Sequence, residues 1–189
     1  MKKRMTIIVA VSLICLIAAG GTVAWLTDKD EAVNTFAVGK IDITLTEPAW
    51  PGSNTLQKLY PGAVIGKDPT VTVEANSENC FVYVLIENEL NGTVPNAVTL
   101  DIDTVHWNLV KKTGNRSLYV YCSKIESSPS PSVLEKIFSR VTVDENVVTE
   151  TNISLLNSKT IKVRAYAHQS EAISADDVKQ KAIAFFEMA

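Results

Sequence analysis

Apolar and polar residues alternate along much of this chain with the period of two that marks a half-buried strand. Ile41, Ile43 and Leu45 alternate with Asp42, Thr44 and Thr46. Val71 and Val73 alternate with Thr70, Thr72 and Glu74, and Ile161, Val163, Ala165 and Ala167 line one face of residues 161–169. Residues 80–87, CFVYVLIE, break the alternation because every position before the final acid is apolar. Such a strand belongs at the centre of a sheet covered on both faces. Residues 105–110 and 118–124 predict a hairpin, with residues 112–115 and Gly114 as its turn.

Turn residues punctuate these runs. In Leu59-Tyr60-Pro61-Gly62, proline presets the first corner and glycine takes the positive φ of the second. Residues 76–79, 91–96 and 127–132 read as a turn and two loops. Residues 133–140 predict a short helical turn, and Val141, Val143, Val147 and Val148 predict strand fragments around residues 144–146. Near the end the period changes. Ser174 is placed to cap a helix from Ala175, Asp176 and Asp177 suit its positive end, and Val178, Ala182 and Phe185 form an apolar stripe. Short strands with frequent turns and one terminal helix predict a mainly β protein, an antiparallel sandwich.

The first residues follow another logic. Lys2, Lys3 and Arg4 precede an uncharged apolar run, residues 5–19, which ends at Gly20-Gly21 and the small-residue step Thr22-Val23-Ala24. This is the layout of a signal peptide over residues 1–24, cut between Ala24 and Trp25. A retained membrane anchor is the alternative, since the uncharged stretch runs on to Thr27. Cys15 follows Ile14 rather than a small residue and makes no lipoprotein site. Residues 25–38 then read as an extended arm and residues 39–189 as the folded domain.

The string Gly20-Gly21-Thr22-Val23-Ala24, then Trp25-Leu26-Thr27-Asp28, then residues 34–45, NTFAVGKIDITL, resembles the amino terminus of the TasA/camelysin family. These are exported proteins of Gram-positive bacteria, processed by a signal peptidase of the SipW type. Trp25 stands where the family has a small residue. The Leu-x-Pro-Gly turn with its Val-rich strand, Asn-containing turn and aromatic strand is similar to a unit of the same family. So is the run Ala165-Tyr166-Ala167-His168-Gln169. The resemblance implies a jelly-roll-like sandwich in which the Pro-Gly unit forms a hairpin. It also implies fibres of the biofilm matrix built by donor-strand exchange. The arm of one subunit would complete a sheet in the next, itself or a homologous matrix subunit, with Leu26, Val33, Phe36 and Val38 as anchors. Phe36 packing into its own domain is the alternative.

Charge narrows the partners. The leader holds three of the 18 Lys and Arg and none of the 21 Asp and Glu, so residues 25–189 carry 15 basic and 21 acidic side chains, a net charge of −6. That balance argues against nucleic acid as a partner. Cys80 and Cys122 remain after the leader. They form either a disulfide or two free thiols, and the residues leave both open.

The camelysin branch is labelled a metallopeptidase, and a zinc hydrolase needs about three protein ligands. The chain has two histidines, His106 and His168, and no HExxH pattern. Asp101 and Asp103 form an Asp-x-Asp step that suits calcium or, more simply, a solvated strand face. No Gly-x-Ser-x-Gly elbow and no glycine-rich phosphate loop is present. The sequons at Asn91, Asn115 and Asn152 are chance matches in a bacterial protein. The sequence therefore predicts a non-enzymatic protein without cofactor or resident metal. It would be a secreted structural or accessory subunit of an extracellular fibre, tied to the membrane only through an uncleaved leader. A secreted camelysin-like metalloendopeptidase and a monomeric surface adhesin are the alternatives.

Overall fold

The computed structural model describes residues 39–48 and 58–188. The leader, the cleavage step at Ala24 and Trp25, and the arm with Leu26, Val33, Phe36 and Val38 lie outside the described residues.

In chain order the elements are β1 (Ile43–Thr46), β2 (Val64–Gly66), β3 (Thr70–Val73), β4 (Cys80–Asn88), α1 (Glu89–Thr93), β5 (Val98–Leu100), β6 (Trp107–Thr113), β7 (Arg116–Tyr121), β8 (Ser132–Val133), β9 (Arg140–Val143), a 3-10 turn (Ile153–Leu156), β10 (Ile161–Gln169) and α2 (Ala175–Phe185). The strands form three antiparallel sheets, ordered β1-β3-β8, β2-β9-β5 and β10-β4-β7-β6. The architecture is mainly β with one short C-terminal helix, as the periodicity predicts. These pairings do not establish a jelly-roll strand order.

β4 explains the layering. Its Val82, Val84 and Ile86 join Val71, Val73, Val98, Val141 and Val143 in one core. Its Tyr83 and Leu85 face the other way, against Leu118 and the helix residues Val178 and Ala182. The strand is therefore covered by two small sheets on one side and by α2 on the other. Burying each Val or Leu there stabilises the fold by roughly 1.5–3 kcal/mol relative to leaving it exposed. At the end of β4, Glu87 is paired by Arg116 at 3.0 Å and by Arg164 at 3.3 Å.

Local chemistry accounts for most element ends. The Ala63 N–H donates to the Tyr60 carbonyl over 3.0 Å, closing the Pro61-Gly62 turn, and Gly62 has φ +78°. Ser174 accepts from the Asp177 N–H over 3.1 Å and starts α2. At its other end Arg116 Nη1 donates to the Glu187 carbonyl over 3.1 Å and Nη2 to the Phe186 carbonyl, so a cation meets the negative end of the helix.

Four details differ from the sequence reading. The stripe of α2 runs Val178, Ala182, Phe186, with Phe185 58% exposed and Phe186 1% exposed. The helical turn predicted over residues 133–140 is absent. The Leu134 and Ile137 N–H groups donate to the Val71 and Pro69 carbonyls instead, which spends on a neighbouring strand the donors a helix would need. Residues 91–96 are only partly loop, because Asn88 accepts from the Asn91 N–H over 3.0 Å and caps α1. Finally, β3 and β4 do not form a hairpin. β3 pairs with β1 and β8 while β4 pairs with β10 and β7, so the turn at Asn76, with φ +60°, carries the chain from one sheet to another.

Candidate functional site

Among the described residues, the order β10-β4-β7-β6 leaves the outer side of β6 without a strand partner. β10, at the opposite edge, lies against β1. Within β6, Trp107 pairs with Tyr121 and Leu109 with Tyr119, so all four share the core-facing side. Trp107 is 2% exposed and Leu109 is 56% exposed, so the cover over this face ends between them. An irregularity between Leu109 and Lys111 then changes the register. Lys111 falls opposite Leu118, on the helix side, and Lys112 opposite Ser117, on the other. The strand carries no acid, and among the described residues neither lysine has an ion-pair partner.

The chain enters β6 through a tight polar turn. The Asp103 carboxylate accepts from the Val105 N–H at 2.9 Å and the His106 N–H at 3.2 Å, and lies 2.6 Å from His106 Nδ1. These contacts, led by the imidazole, hold the Asp103 carboxyl below its ordinary pKa. The His106 ring stacks on Tyr121 at 6.2 Å. Asp101, two residues earlier, accepts from the Ser139 N–H and hydroxyl and from the Arg140 N–H and Nε. Burial alone would raise its pKa, but the Ser139 donors and Arg140 outweigh it and bring the carboxyl to about 2. Asp101 and Asp103 lie in a loop rather than on a strand face, and both carboxylates are taken up by protein donors. They do not converge on a calcium site.

Cys80 and Cys122 are both free thiols in this structure. The ladder gives the reason. β4 and β7 pair as far as Tyr83 and Val120, and Cys80 then bridges Ile125, so Cys122 lies past the end of β7 and not opposite Cys80. Cys80 is buried, which pushes its thiol up to about 11, while Cys122 is exposed.

His168 sits on β10 and its Nδ1 contacts the Gln169 carbonyl at 2.8 Å. β10 and the start of β6 are the two edges of a four-stranded sheet. Three strand spacings, roughly 14 Å, separate His168 from His106. Ligands sharing one zinc must each come within about 2 Å of it. Among the described residues no group of three or more His, Cys, Asp or Glu is placed to hold a metal ion. The described residues therefore do not fit a metallopeptidase centre. A shallow cleft of about 360 Å³, lined by Gly62, Thr99, Thr142, Val143, Asp144 and Glu145, lies over the sheet of β2, β9 and β5. No described helix is long and apolar enough to cross a membrane.

These features define a mainly β, antiparallel domain with a helix on one sheet face and a lysine-bearing open edge. Residues 1–78 match the family described as camelysin metallo-endopeptidase. That match covers 78 of the chain's 189 residues. The match takes in residues 1–38 and β1 to β3, and ends before β4. No curated protein and no solved structure matches the chain.

Sequence reasoning missed the edge lysines and the Asp101 latch. A pair of lysines closing a strand is a signal for an edge, and Lys111-Lys112 carries it. No local pattern marks Asp101, because its partners lie 38 and 39 residues away.

Proposed function

We propose that this protein is a secreted structural or accessory subunit of an extracellular fibre or biofilm matrix. A leader over residues 1–24 directs export and is cut at Ala24–Trp25 by a signal peptidase of the SipW type. The arm of residues 25–38 joins one subunit to the next, head to tail, as an added strand anchored by Leu26, Val33, Phe36 and Val38. A strand laid along an open edge satisfies a row of backbone donors and acceptors, and a contact that does not close on itself yields a filament. The observation that carries this reading is the family match over the segment that holds leader and arm.

The test uses pure protein starting at residue 25, with and without residues 25–36, viewed by negative-stain electron microscopy and light scattering. Filaments that require the arm are expected. Normal filaments from the truncated protein, or none from the full mature chain, would overturn the reading. The family's description favours a second reading, a metalloendopeptidase. It predicts bound metal and chelator-sensitive proteolysis by the pure protein.

A further inference from the structure

We propose that the open edge of β6 is the surface that accepts the arm of a second copy, and that it selects the arm by charge. This deepens the assembly reading above and rests on it.

Among the described strands, the long unpaired sides are those of β10, nine residues, and β6, seven, whereas those of β1, β2, β5 and β8 span four, three, three and two. The two long edges of the main sheet differ, since β10 is flanked by β1. Beside the β6 edge the core-facing side is left open. Leu109 is 56% exposed and Val105, just before the strand, 76% exposed. An incoming strand would cover apolar surface there as well as pair its backbone.

Charge decides which strand can enter. Lys111 and Lys112 put one positive group on each face of the sheet, with no described acid to neutralise either. A second β6 would bring like charges together and is disfavoured. Residues 25–38 carry Asp28, Asp30 and Glu31 against the single Lys29, a net charge of −2. In an extended strand Asp28 and Asp30 share one face and Glu31 takes the other, so the arm offers an acid to each lysine. Its apolar members Val33, Phe36 and Val38 follow the acids in sequence. Length suffices too, because those residues extend to about 46–50 Å. The seven-residue β6 needs only about 24 Å of partner strand, which leaves a tether between subunits.

The register break between Leu109 and Lys111 sharpens the selection. It interrupts the edge that a long flat apolar strand would need. Pairing then rests on the short segment beside the lysines, where electrostatic attraction sets the encounter rate and falls with salt.

The test is a charge exchange in the full mature chain, read by light scattering and negative-stain microscopy, with circular dichroism to confirm folding. K111E/K112E should slow assembly at least tenfold, and D28K/D30K/E31K should do the same. One chain carrying both sets should regain assembly, because attraction returns with reversed signs. If K111E/K112E assembles like the unaltered chain, the acceptor lies elsewhere and this inference falls, while the fibre reading stands. If each set alone blocks assembly and their combination fails to restore it, selection by charge is overturned. If the unaltered mature chain never assembles, both readings fall together.

Discussion

The indole N–H of Trp107 donates to the carbonyl of Glu135 over 2.8 Å. That single bond ties the first residue of β6 to the irregular stretch that carries Leu134, Ile137 and Phe138 into the core. The ring itself packs edge-on against Tyr121 at 5.1 Å. Trp107→Phe should therefore cost about 0.5–1.5 kcal/mol, the net worth of one hydrogen bond. Trp107→Ala should cost about 3–5 kcal/mol, because a cavity is added. Denaturant titration of the two variants checks the order, and equal midpoints would remove the bond's role.

Phe185 and Phe186 are neighbours with opposite fates. Phe185 lies 58% exposed and stacks on Tyr166 at 4.5 Å, while Phe186 is buried beneath Arg164. Phe186→Ala should cost about 3–5 kcal/mol. Phe185→Ala should cost no more than about 0.5–1.5 kcal/mol, the worth of an aromatic pair. Thermal melts of both variants decide it, and a larger loss at Phe185 would contradict the packing.

Asp101 predicts an acid-sensitive contribution. Its folded pKa, about 2, lies below the ordinary 3.8. A depressed carboxyl stabilises the fold above its unfolded pKa, and that stabilisation drains away as pH falls from about 4 through about 2. Asp101→Asn should be less stable than the native chain at pH 6, and the gap should narrow at pH 2. A gap that stays constant across urea titrations at the two pH values would reject the latch.

The two thiols should separate by reactivity. Cys122 is exposed, whereas Cys80 is buried with its pKa pushed up to about 11. At neutral pH a maleimide should label Cys122 quickly and reach Cys80 only after unfolding. Mass spectrometry of the labelled peptides reads this directly. A Cys80–Cys122 disulfide in the purified protein would refute the strand register that separates them.

Much of the fold is legible in the residues. Alternation at residues 41–46, 70–74 and 161–169 found three strands, and the unbroken run at 80–87 found the strand covered on both sides. Pro61-Gly62 and Ser174 marked a turn and a helix start because each acts on backbone within three residues of itself. What escaped was decided at a distance. Residues 133–140 have a local helical pattern, but β3 offers their N–H groups better-placed acceptors. Val178 is compatible with a stripe through either Phe185 or Phe186, and the choice depends on Tyr83, Leu85 and Leu118 in the sheet below. For the candidate site, Lys111 and Lys112 are visible as residues, but their place on an open edge follows from the sheet order. The two histidines were visible as well, and their separation across the sheet was not.

β4 being apolar on both faces has a further implication for how the chain finds its alignment. In a strand with one wet face, a slip by one residue throws the greasy side into water and is punished at once. Here a slip would merely exchange Val82, Val84 and Ile86 for Tyr83 and Leu85, one oily surface for another. Glu87, held between Arg116 and Arg164, and Asn88, which caps α1, would lose their partners. The alignment of the central strand is thus written largely in polar groups at its tip, and replacing that acid by glutamine would blur the frame before it emptied the core.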